Sequence, residues 1–199
     1  MTTFSKGLEG IVAAETAISY IDGTNGILEY VGIPIGELAS KSTFEETVFL
    51  LWNQRLPNKS ELAAFTTDLR ARYPLPEGML ERIAAAPTDA EPMHVLRTMV
   101  SALSMFDSNP NENTVEAARD KALNILAWTP SIVAAFDRNR RGLKPVAPDA
   151  SLGFSANFLY MLNDKKPTDA MIRAFDICMN TFSYTHLPLP TNHTRYIPV

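Results

Sequence analysis

The sequence contains a single cysteine, no long apolar run and no excess of positive charge, and each shortage excludes a class of protein. The lone Cys178 cannot form a disulfide within the chain, which favours a reducing compartment. No apolar run reaches the roughly 18–20 residues of a membrane-spanning helix, and the first residues, MTTFSKGLEG, lack the apolar core of a signal peptide. A formal net charge of −4 offers no positive field for nucleic acid or for an anionic membrane. We therefore expect a soluble cytoplasmic protein that binds neither.

The signatures of several enzyme classes are also missing. The histidines at 94, 186 and 193 lack the spacing of zinc ligands such as HExxH or paired CxxC. Neither glycine-rich phosphate loop, GxGxxG or GxxxxGK[ST], occurs, and no GxSxG elbow presents a serine nucleophile. Cys178 lies near the apolar side of a predicted helix, where a buried and unreactive thiol is the usual outcome. The residues alone therefore identify no catalytic, cofactor-binding or metal-binding site.

What is present predicts a mainly α fold with one small hairpin. Two β-rich runs flank the Asp-Gly-Thr-Asn-Gly stretch at 22–26, whose glycines and asparagine tolerate positive φ, and this predicts the hairpin. After Ile35 apolar residues recur at helical spacing. The predicted helices are 43–54, 58–73, 76–86, 93–106, a long segment from Thr114 to the basic end at 138–144, 151–163 and 168–182. Within the long segment, Pro130 is expected to bend or interrupt the helix, and Gly142 to cap it.

Two groups of polar residues could carry a function. The first forms one side of the 93–106 helix, and it consists of His94, Arg97, Ser101 and Ser104. This face could hold an anion or meet a partner helix, although a solvated face is the more common role. The second is the basic end of the long helix, with Arg138, Arg140, Arg141 and Lys144. These cations could attract a phosphate-bearing cofactor, but cations at a helix C-terminus also offset the helix dipole, which is the interpretation we favour. Glu45 and Glu46 point to different faces of their helix, so they cannot act together as an acid/base pair.

Several stretches, in order along the chain, resemble the motifs of the citrate synthase family. Residues 7–35, GLEGIVAAETAISYIDGTNGILEYVGIPI, are similar to the family's GLxG opening, Glu-Thr-x-Ile-Ser strand, Asp-Gly turn and Tyr-x-Gly-x-Pro-Ile segment. The helix at 45–56 resembles FEETxxLLWxxxLP, and 92–103, PMHVLRTMVSAL, resembles the Pro-Met-x-x-Leu-Arg-Thr helix. Further similar segments are 130–145, 157–162 (NFLYML) and Ala174-Phe-Asp. The resemblance covers about residues 4–182.

The resemblance implies part of a multi-helical citrate synthase-like large domain from a two-domain homodimer. Such an enzyme condenses acetyl-CoA with oxaloacetate and water to give citrate and CoA at the start of the tricarboxylic acid cycle. Acetyl-CoA is a substrate there, and no cofactor is expected. In the family, a His and an Asp activate the acetyl methyl group, a second His polarises the oxaloacetate carbonyl, and arginines clamp the oxaloacetate carboxylates.

Two alternatives remain open beside this expectation. A 2-methylcitrate synthase would use propionyl-CoA, and the pocket difference of one methylene is worth only about 1–3 kcal/mol. A non-catalytic helical dimerisation module would use the helices alone, with the 93–106 helix as our candidate for the interface. The oxaloacetate and acetyl-CoA sites would then be absent.

The last residues depart from the family pattern. After the helix corresponding to 168–182 the family continues with Leu-His-x-Asp-His, whereas this chain continues SYTHLPLPTNHTRYIPV. Aligning His186 with the first His places Pro188 at the acidic position and Leu189 at the second His, so the motif is absent. Residues 183–199 instead resemble translated adapter sequence. We expect 1–182 to be the N-terminal part of the large domain and 183–199 to be a non-native, unstructured tail. We accordingly assign no catalytic residue and expect an inactive chain that exposes apolar faces and aggregates.

Overall fold

The computed structural model describes residues 15–185, with side chains as far as Thr181, and it is mainly helical. A three-stranded antiparallel sheet has the order β1 (Ser19–Asp22), β2 (Ile27–Tyr30) and β3 (Ile33–Pro34). The helices are α1 (Ile35–Lys41), α2 (Phe44–Asn53), α3 (Lys59–Ala71), α4 (Met79–Ala84), α5 (Pro92–Ala102), α6 (Val115–Arg140), α7 (Phe154–Asn163) and α8 (Asp169–Thr185). A 3-10 turn at Leu103–Phe106 follows α5. The described residues form two compact units: one runs to Pro57 and resumes at Ile177, and the other is Asn58–Asp176.

The predicted hairpin is confirmed in the first unit. Strands β1 and β2 pair with Asp22 opposite Ile27. The Asp22 carboxylate accepts hydrogen bonds from the backbone N–H groups of Thr24 at 3.0 Å and Asn25 at 3.1 Å. The Asn25 side-chain amide also donates to it, and this bond together with the backbone bonds lowers the pKa of Asp22. The turn is therefore held by a carboxylate as well as by its glycines.

The third strand was not predicted, because it is only two residues long. Val31 and Gly32 connect it to β2 through a tight turn in which both residues have positive φ, 51° and 74°. Positive φ is unusual for a β-branched side chain, so no turn signal stands in the sequence at Val31. The core of this unit lies under β2, α1 and α2 and contains Leu28, Tyr30, Leu38 and Leu50.

The core of the second unit is formed by α4, α5 and α6. Its buried side chains are Met79, Ile83, Val95, Met99, Leu103, Ile132, Ala135 and Phe136. Local capping residues set several helix starts here and in the first unit, as the sequence predicts. Thr43 and Asn58 form capping boxes with Glu46 and Glu61, and the Thr114 side chain accepts the Ala117 N–H at 3.3 Å.

Three helix predictions need correction. Helix α4 begins at Met79 and not at Pro76, because Gly78 at φ 79° precedes it and breaks the turn. Helix α6 runs on through Pro130, which is buried inside it, so of the two predicted outcomes, a bend or an interruption, the interruption is wrong. The burial of residues such as Ile132 and Phe136 beyond the proline outweighs one lost backbone hydrogen bond. Helix α1 was not predicted as a separate element.

In the described part of α8, up to Thr181, the predicted apolar side chains Ile172, Phe175 and Met179 are half-buried and Met171 is exposed, and only the expected burial of Cys178 is wrong. The buried residues of this helix are Asp176 and Asn180, whereas Met171 is 47% exposed and Cys178 is exposed. Helix α8 continues to Thr185, and the remainder of the 183–199 segment lies outside the described residues. Among residues 15–185, no helix combines the length and apolar character that crossing a bilayer requires.

Candidate functional site

The polar face predicted on α5 lies on the surface of the second unit. His94, Arg97, Ser101 and Ser104 are all exposed, and Val95, Met99 and Leu103 are buried on the opposite side. Pro92 occupies the first turn, where its missing N–H leaves no helical bond unmade. Met93 and Met105, near the two ends of this face, are each 64% exposed. The face therefore presents a mixed polar and apolar surface that suits contact with another protein better than catalysis.

The basic cluster at the end of α6 is engaged in holding the fold together. Arg138 is buried, and its Nε donates to the Lys144 carbonyl oxygen at 2.6 Å, while its Nη2 lies 3.6 Å from the Asp164 carboxylate. Arg141 Nη2 donates to the Leu162 carbonyl oxygen at 2.8 Å and pairs with the Asp137 carboxylate. These bonds connect the C-terminal ends of α6 and α7.

Arg140 and Gly142 complete the description of this helix end. Arg140 Nε donates to the Thr88 carbonyl oxygen at 3.2 Å, and its guanidinium lies 5.9 Å from the centre of the Phe136 ring. Gly142 has φ 68°, and Leu143 N–H bonds the Arg138 carbonyl oxygen, which is the predicted helix termination. With three of the four cations engaged in this way, the cluster is a structural feature of the helix end and not a phosphate site.

The remaining candidates from the sequence do not assemble a reactive centre. Glu46 caps α2 by accepting the Thr43 N–H at 2.7 Å, whereas Glu45 is buried, so the two carboxylates have separate environments. Cys178 is exposed on α8, which overturns the expectation of a buried thiol, because the buried side chains of that helix are polar. Within the described part of the chain, no group of three or more His, Cys, Asp or Glu could hold a metal ion. His186 and His193 lie outside the described residues.

Buried polar contacts surround α7, and no pattern of residue spacing predicts them. Ser155 Oγ donates to Asp176 Oδ1 at 2.5 Å, and both side chains are less than 10% exposed. Asn157, 2% exposed, accepts the Asp149 N–H at 2.9 Å through Oδ1. Asp149 itself accepts bonds from the Ser151 hydroxyl and N–H, which lower its pKa. Two of these residues, Asn157 and Asp176, lie in segments that resemble the family, NFLYML and Ala174-Phe-Asp, but the resemblance assigned them no role.

A charged network between α3 and α6 was also missed. Arg72 donates from Nη1 to Asp120 Oδ1 at 2.6 Å and to Asn124 Oδ1 at 2.8 Å, and from Nε to Asp68 at 2.8 Å. Burial opposes the charge on Arg72, but the hydrogen bonds to the two carboxylates outweigh it and raise its pKa. Asp120 and Asn124 lie 48 and 52 positions from Arg72, a separation at which sequence periodicity carries no information, whereas Asp68 is four residues from Arg72.

Concave surfaces of ligand size occur in the second unit. One cavity of about 400 Å³ lies among the segments 74–81 and 145–148 and is lined mostly by proline and other apolar side chains. A second, of about 440 Å³, lies beside the α5 face and includes Ser101, Ser104 and Lys121. Volumes of about 300–1,000 Å³ are typical of small-molecule sites. Neither lining, however, brings a nucleophile into contact with a general base among the described residues, so the cavities alone do not identify an activity.

The geometry of the described residues identifies no activity, but comparison with known proteins identifies a family. Residues 7–185 match the family model described as citrate synthase, C-terminal domain. The citrate synthase of Haloferax volcanii is 42% identical over 178 residues, which cover 87% of this chain and 47% of that protein. The citrate synthase of Deinococcus radiodurans is 40% identical over 179 residues, 90% of this chain and 48% of that protein. The 2-methylcitrate synthase of Mycobacterium tuberculosis is 41% identical over 174 residues, which cover 87% of this chain and 44% of that protein.

Solved structures give the same result. The citrate synthase from Thermotoga maritima superposes with a TM-score of 0.76 at 34% identity, covering 88% of this chain and 45% of that one. The citrate synthase from Pyrobaculum aerophilum gives 0.77 at 35% identity, covering 86% and 45%. The chain thus spans about half the length of the relatives it matches, and the predicted mainly α citrate synthase-like fold is confirmed.

Proposed function

Because the chain belongs to the citrate synthase family, we propose that the protein of which it is part condenses acetyl-CoA with oxaloacetate and water to give citrate and CoA. The observation that carries the proposal is identity of about 40% to citrate synthases over nearly nine tenths of the chain. The protein would then be an acyltransferase at the start of the tricarboxylic acid cycle. We extend the proposal to a cytoplasmic location, which the single cysteine favours.

The proposed condensation needs an acid/base group and hydrogen-bond donors that are free to act on the substrates. Removing a proton from the acetyl methyl group needs a positioned base, and the developing oxyanion needs preorganised hydrogen-bond donors. In residues 15–181 the arginines of the α6 end and the buried Ser155–Asp176 pair already bond within the fold. We propose that this chain supplies framework, that the groups acting on substrate belong to the other half of the protein, and that the 199 residues alone are inactive.

A chimaeric enzyme tests both parts of the proposal. Residues 7–182 would replace the matching half of the Haloferax volcanii citrate synthase, and release of free thiol from acetyl-CoA would be measured with and without oxaloacetate. We expect oxaloacetate-dependent release by the chimaera and none by the 199-residue chain above a no-enzyme blank. Turnover by the chain alone would contradict its proposed inactivity. A folded chimaera with no turnover would contradict the proposed framework role, and the unaltered parent enzyme serves as the positive control.

The 2-methylcitrate synthase alternative rests on the 41% identity to the Mycobacterium tuberculosis enzyme, which lies between the 42% and 40% identities to the two citrate synthases. The same chimaera, assayed with propionyl-CoA, would respond to any pocket residues that this half contributes. We expect the ratio of the kcat/KM values for the two acyl-CoAs to stay within about tenfold of that of the parent, because a methylene-sized change in the pocket, worth about 1–3 kcal/mol, would shift it by roughly 10- to 200-fold. A larger change towards propionyl-CoA would favour the alternative.

We also propose a homodimer in which the α5 face contributes to the interface. Its support is the mixed surface described above, with two strongly exposed methionines and no carboxylate among its four polar residues. In the chimaera, Ser101→Glu should lower the dimer fraction measured by light scattering, because it places a charge in the contact. Ser60→Glu, at an exposed position near the start of α3, is the matched control. Equal dimer fractions in both variants would remove α5 from the interface.

The non-catalytic dimerisation module predicts a different pair of results. The 199-residue chain alone would form a stable dimer, and the chimaera would show no oxaloacetate-dependent thiol release. Genomic sequence across the codons for Phe182 and Ser183 would distinguish a natural short protein from part of a longer enzyme. Adapter sequence at that junction would eliminate the natural short module.

A further inference from the structure

Lys121, in the first half of α6, is surrounded by oxygen atoms of the loop that precedes the helix. Its Nζ lies 2.8 Å from the carbonyl oxygens of Asn109 and Glu112 and 3.0 Å from that of Pro110. The carboxylate of Asp107 lies 3.4 Å from the same atom. An ammonium group has three N–H donors and no acceptor. The three carbonyls therefore engage every donor, and the carboxylate balances the charge.

Converging carbonyl oxygens need a positive charge between them. Their dipoles point at one another and repel, and proteins arrange backbone carbonyls in this way around cations such as K⁺. The loop has few other bonds: Asn109 N–H donates to Asp107 Oδ1 at 2.8 Å, and Glu112 N–H to the Asn109 carbonyl oxygen at 3.1 Å. Two further bonds tie the ends of the loop, from Asp107 N–H to the Ser104 carbonyl oxygen and from Thr114 N–H to Glu112 Oε1, so the three converging carbonyls have Lys121 Nζ as their shared donor.

We propose that residues 107–112 form an oxygen cage for a monovalent cation, which the ammonium group of Lys121 fills from within the chain. Truncating the side chain opens this cage to an ammonium or potassium ion. One carboxylate and three neutral carbonyls supply a single negative charge, which suits a monovalent ion better than a divalent one. The proposal is independent of the proposed enzyme activity, since it concerns only the loop and α6.

The cage has a consequence for its surroundings. Asp107, Ser108, Pro110 and Lys121 all line the 440 Å³ cavity beside the α5 face, together with Ser101 and Ser104. Asp107 N–H also bonds the Ser104 carbonyl oxygen at 3.4 Å. Lys121 is therefore a positioning residue for the end of that face, and it acts through the loop.

Thermal unfolding tests the proposal in a chimaera that joins residues 7–182, carrying Lys121→Ala, to the other half of the Deinococcus radiodurans citrate synthase. The same chimaera without the substitution is the parent chain. Melting would be followed in the chlorides of ammonium, potassium and tetramethylammonium at an equal ionic strength of about 0.1 M, and tetramethylammonium is too large for the cage. We expect the variant to melt about 4–8 °C below the parent chain in tetramethylammonium. Ammonium or potassium should restore about half of that loss. Lys41→Ala, which removes an exposed lysine paired with Glu37 on α1, is the control and should show no cation dependence.

Two results would overturn the proposal. The first is a melting temperature for Lys121→Ala that equals that of the parent chain. The second is a lowered temperature that no cation raises, which reduces Lys121 to an ordinary hydrogen-bonding residue.

If Lys121→Ala fails to fold, amine labelling of the parent chain tests whether the loop encloses the Lys121 ammonium group. Acetylation read by mass spectrometry should modify Lys121 at least about tenfold more slowly than Lys41, because its donors are released only when the loop opens. Equal labelling rates at the two lysines would contradict the cage.

Discussion

Helices α5 and α8 have similar sequence patterns, yet they bury opposite kinds of side chain. In α5 the inward side chains are Val95 and Met99, and the polar residues face solvent. In α8 the inward side chains are Asp176 and Asn180, while Met171 and Ile177 are exposed. An amphipathic pattern thus shows that a helix has two faces, but it does not show which face meets the described core.

The difference lies in what each helix packs against. Helix α5 contacts α4 and α6, whose facing side chains are apolar. Helix α8 meets polar groups as well as apolar ones: Asp176 accepts the Ser155 hydroxyl, Asn180 Nδ2 donates to the Ser42 carbonyl oxygen at 3.3 Å, and the Phe175 ring stacks on Phe158 at 5.1 Å. A buried polar group is tolerated only where it finds such partners, so specific hydrogen bonds add to apolar contact in α8, whereas α5 is held by buried apolar area.

The largest effect is expected in α5. Met99→Ala removes most of a side chain that is 8% exposed and leaves a cavity, and we expect the free energy of unfolding to fall by about 2–4 kcal/mol. Met93→Ala, at 64% exposure on the same helix, should change it by less than about 0.5 kcal/mol. Urea unfolding measures both. Similar losses at the two positions would show that the outer face of α5 is also buried in solution.

A smaller loss is expected from the polar pair in the α8 packing. Asp176→Ala leaves the buried Ser155 hydroxyl without its acceptor, and Ser155→Ala removes the donor. The double-mutant cycle should give a coupling energy of about 1–2 kcal/mol in the free energy of unfolding. Additive losses would mean that the two side chains are not bonded, and that burial of α8 has another cause.

The smallest effect is expected at Cys178. Cys178→Ser should leave the free energy of unfolding unchanged to within about 0.5 kcal/mol, because the side chain is exposed. In the native chain the thiol should react completely with an aromatic disulfide reagent without denaturant. A thiol that reacts only after unfolding would restore the sequence-based expectation of a buried cysteine.

Sequence reasoning succeeded where structure is decided locally. The caps Thr43, Asn58 and Thr114 and the Asp22 turn depend on residues within three positions of one another. It failed where distant residues decide. The start of α4 and the passage of α6 through Pro130 depend on packing between segments, and the inward direction of α8 depends on Ser155 and Ser42.

The candidate site shows the same limit. The basic cluster lies at the helix end, where Arg138 and Arg141 also bond backbone carbonyl oxygens and carboxylates, and the interpretation that the cations offset the helix dipole stays a prediction. The carbonyls that actually accept from it, such as Leu162 and Thr88, could not be found, since backbone atoms leave no trace in a sequence pattern. The family itself came from ordered motifs and not from composition or periodicity.

Pro130 lies inside α6 without ending the helix, and we expect it to divide the helix into two segments that unfold separately. It has no amide hydrogen, so the Leu126 carbonyl oxygen loses the bond that residue 130 would donate, and the hydrogen-bond ladder is broken there. Beyond the break Ser131, Ile132 and Ala134 are buried, whereas most of the first turns of the helix are exposed. The two segments can therefore open separately, and deuterium uptake should fall sharply from one side of Pro130 to the other. A uniform exchange rate along 115–140 would show instead that packing couples the halves into a single unfolding event.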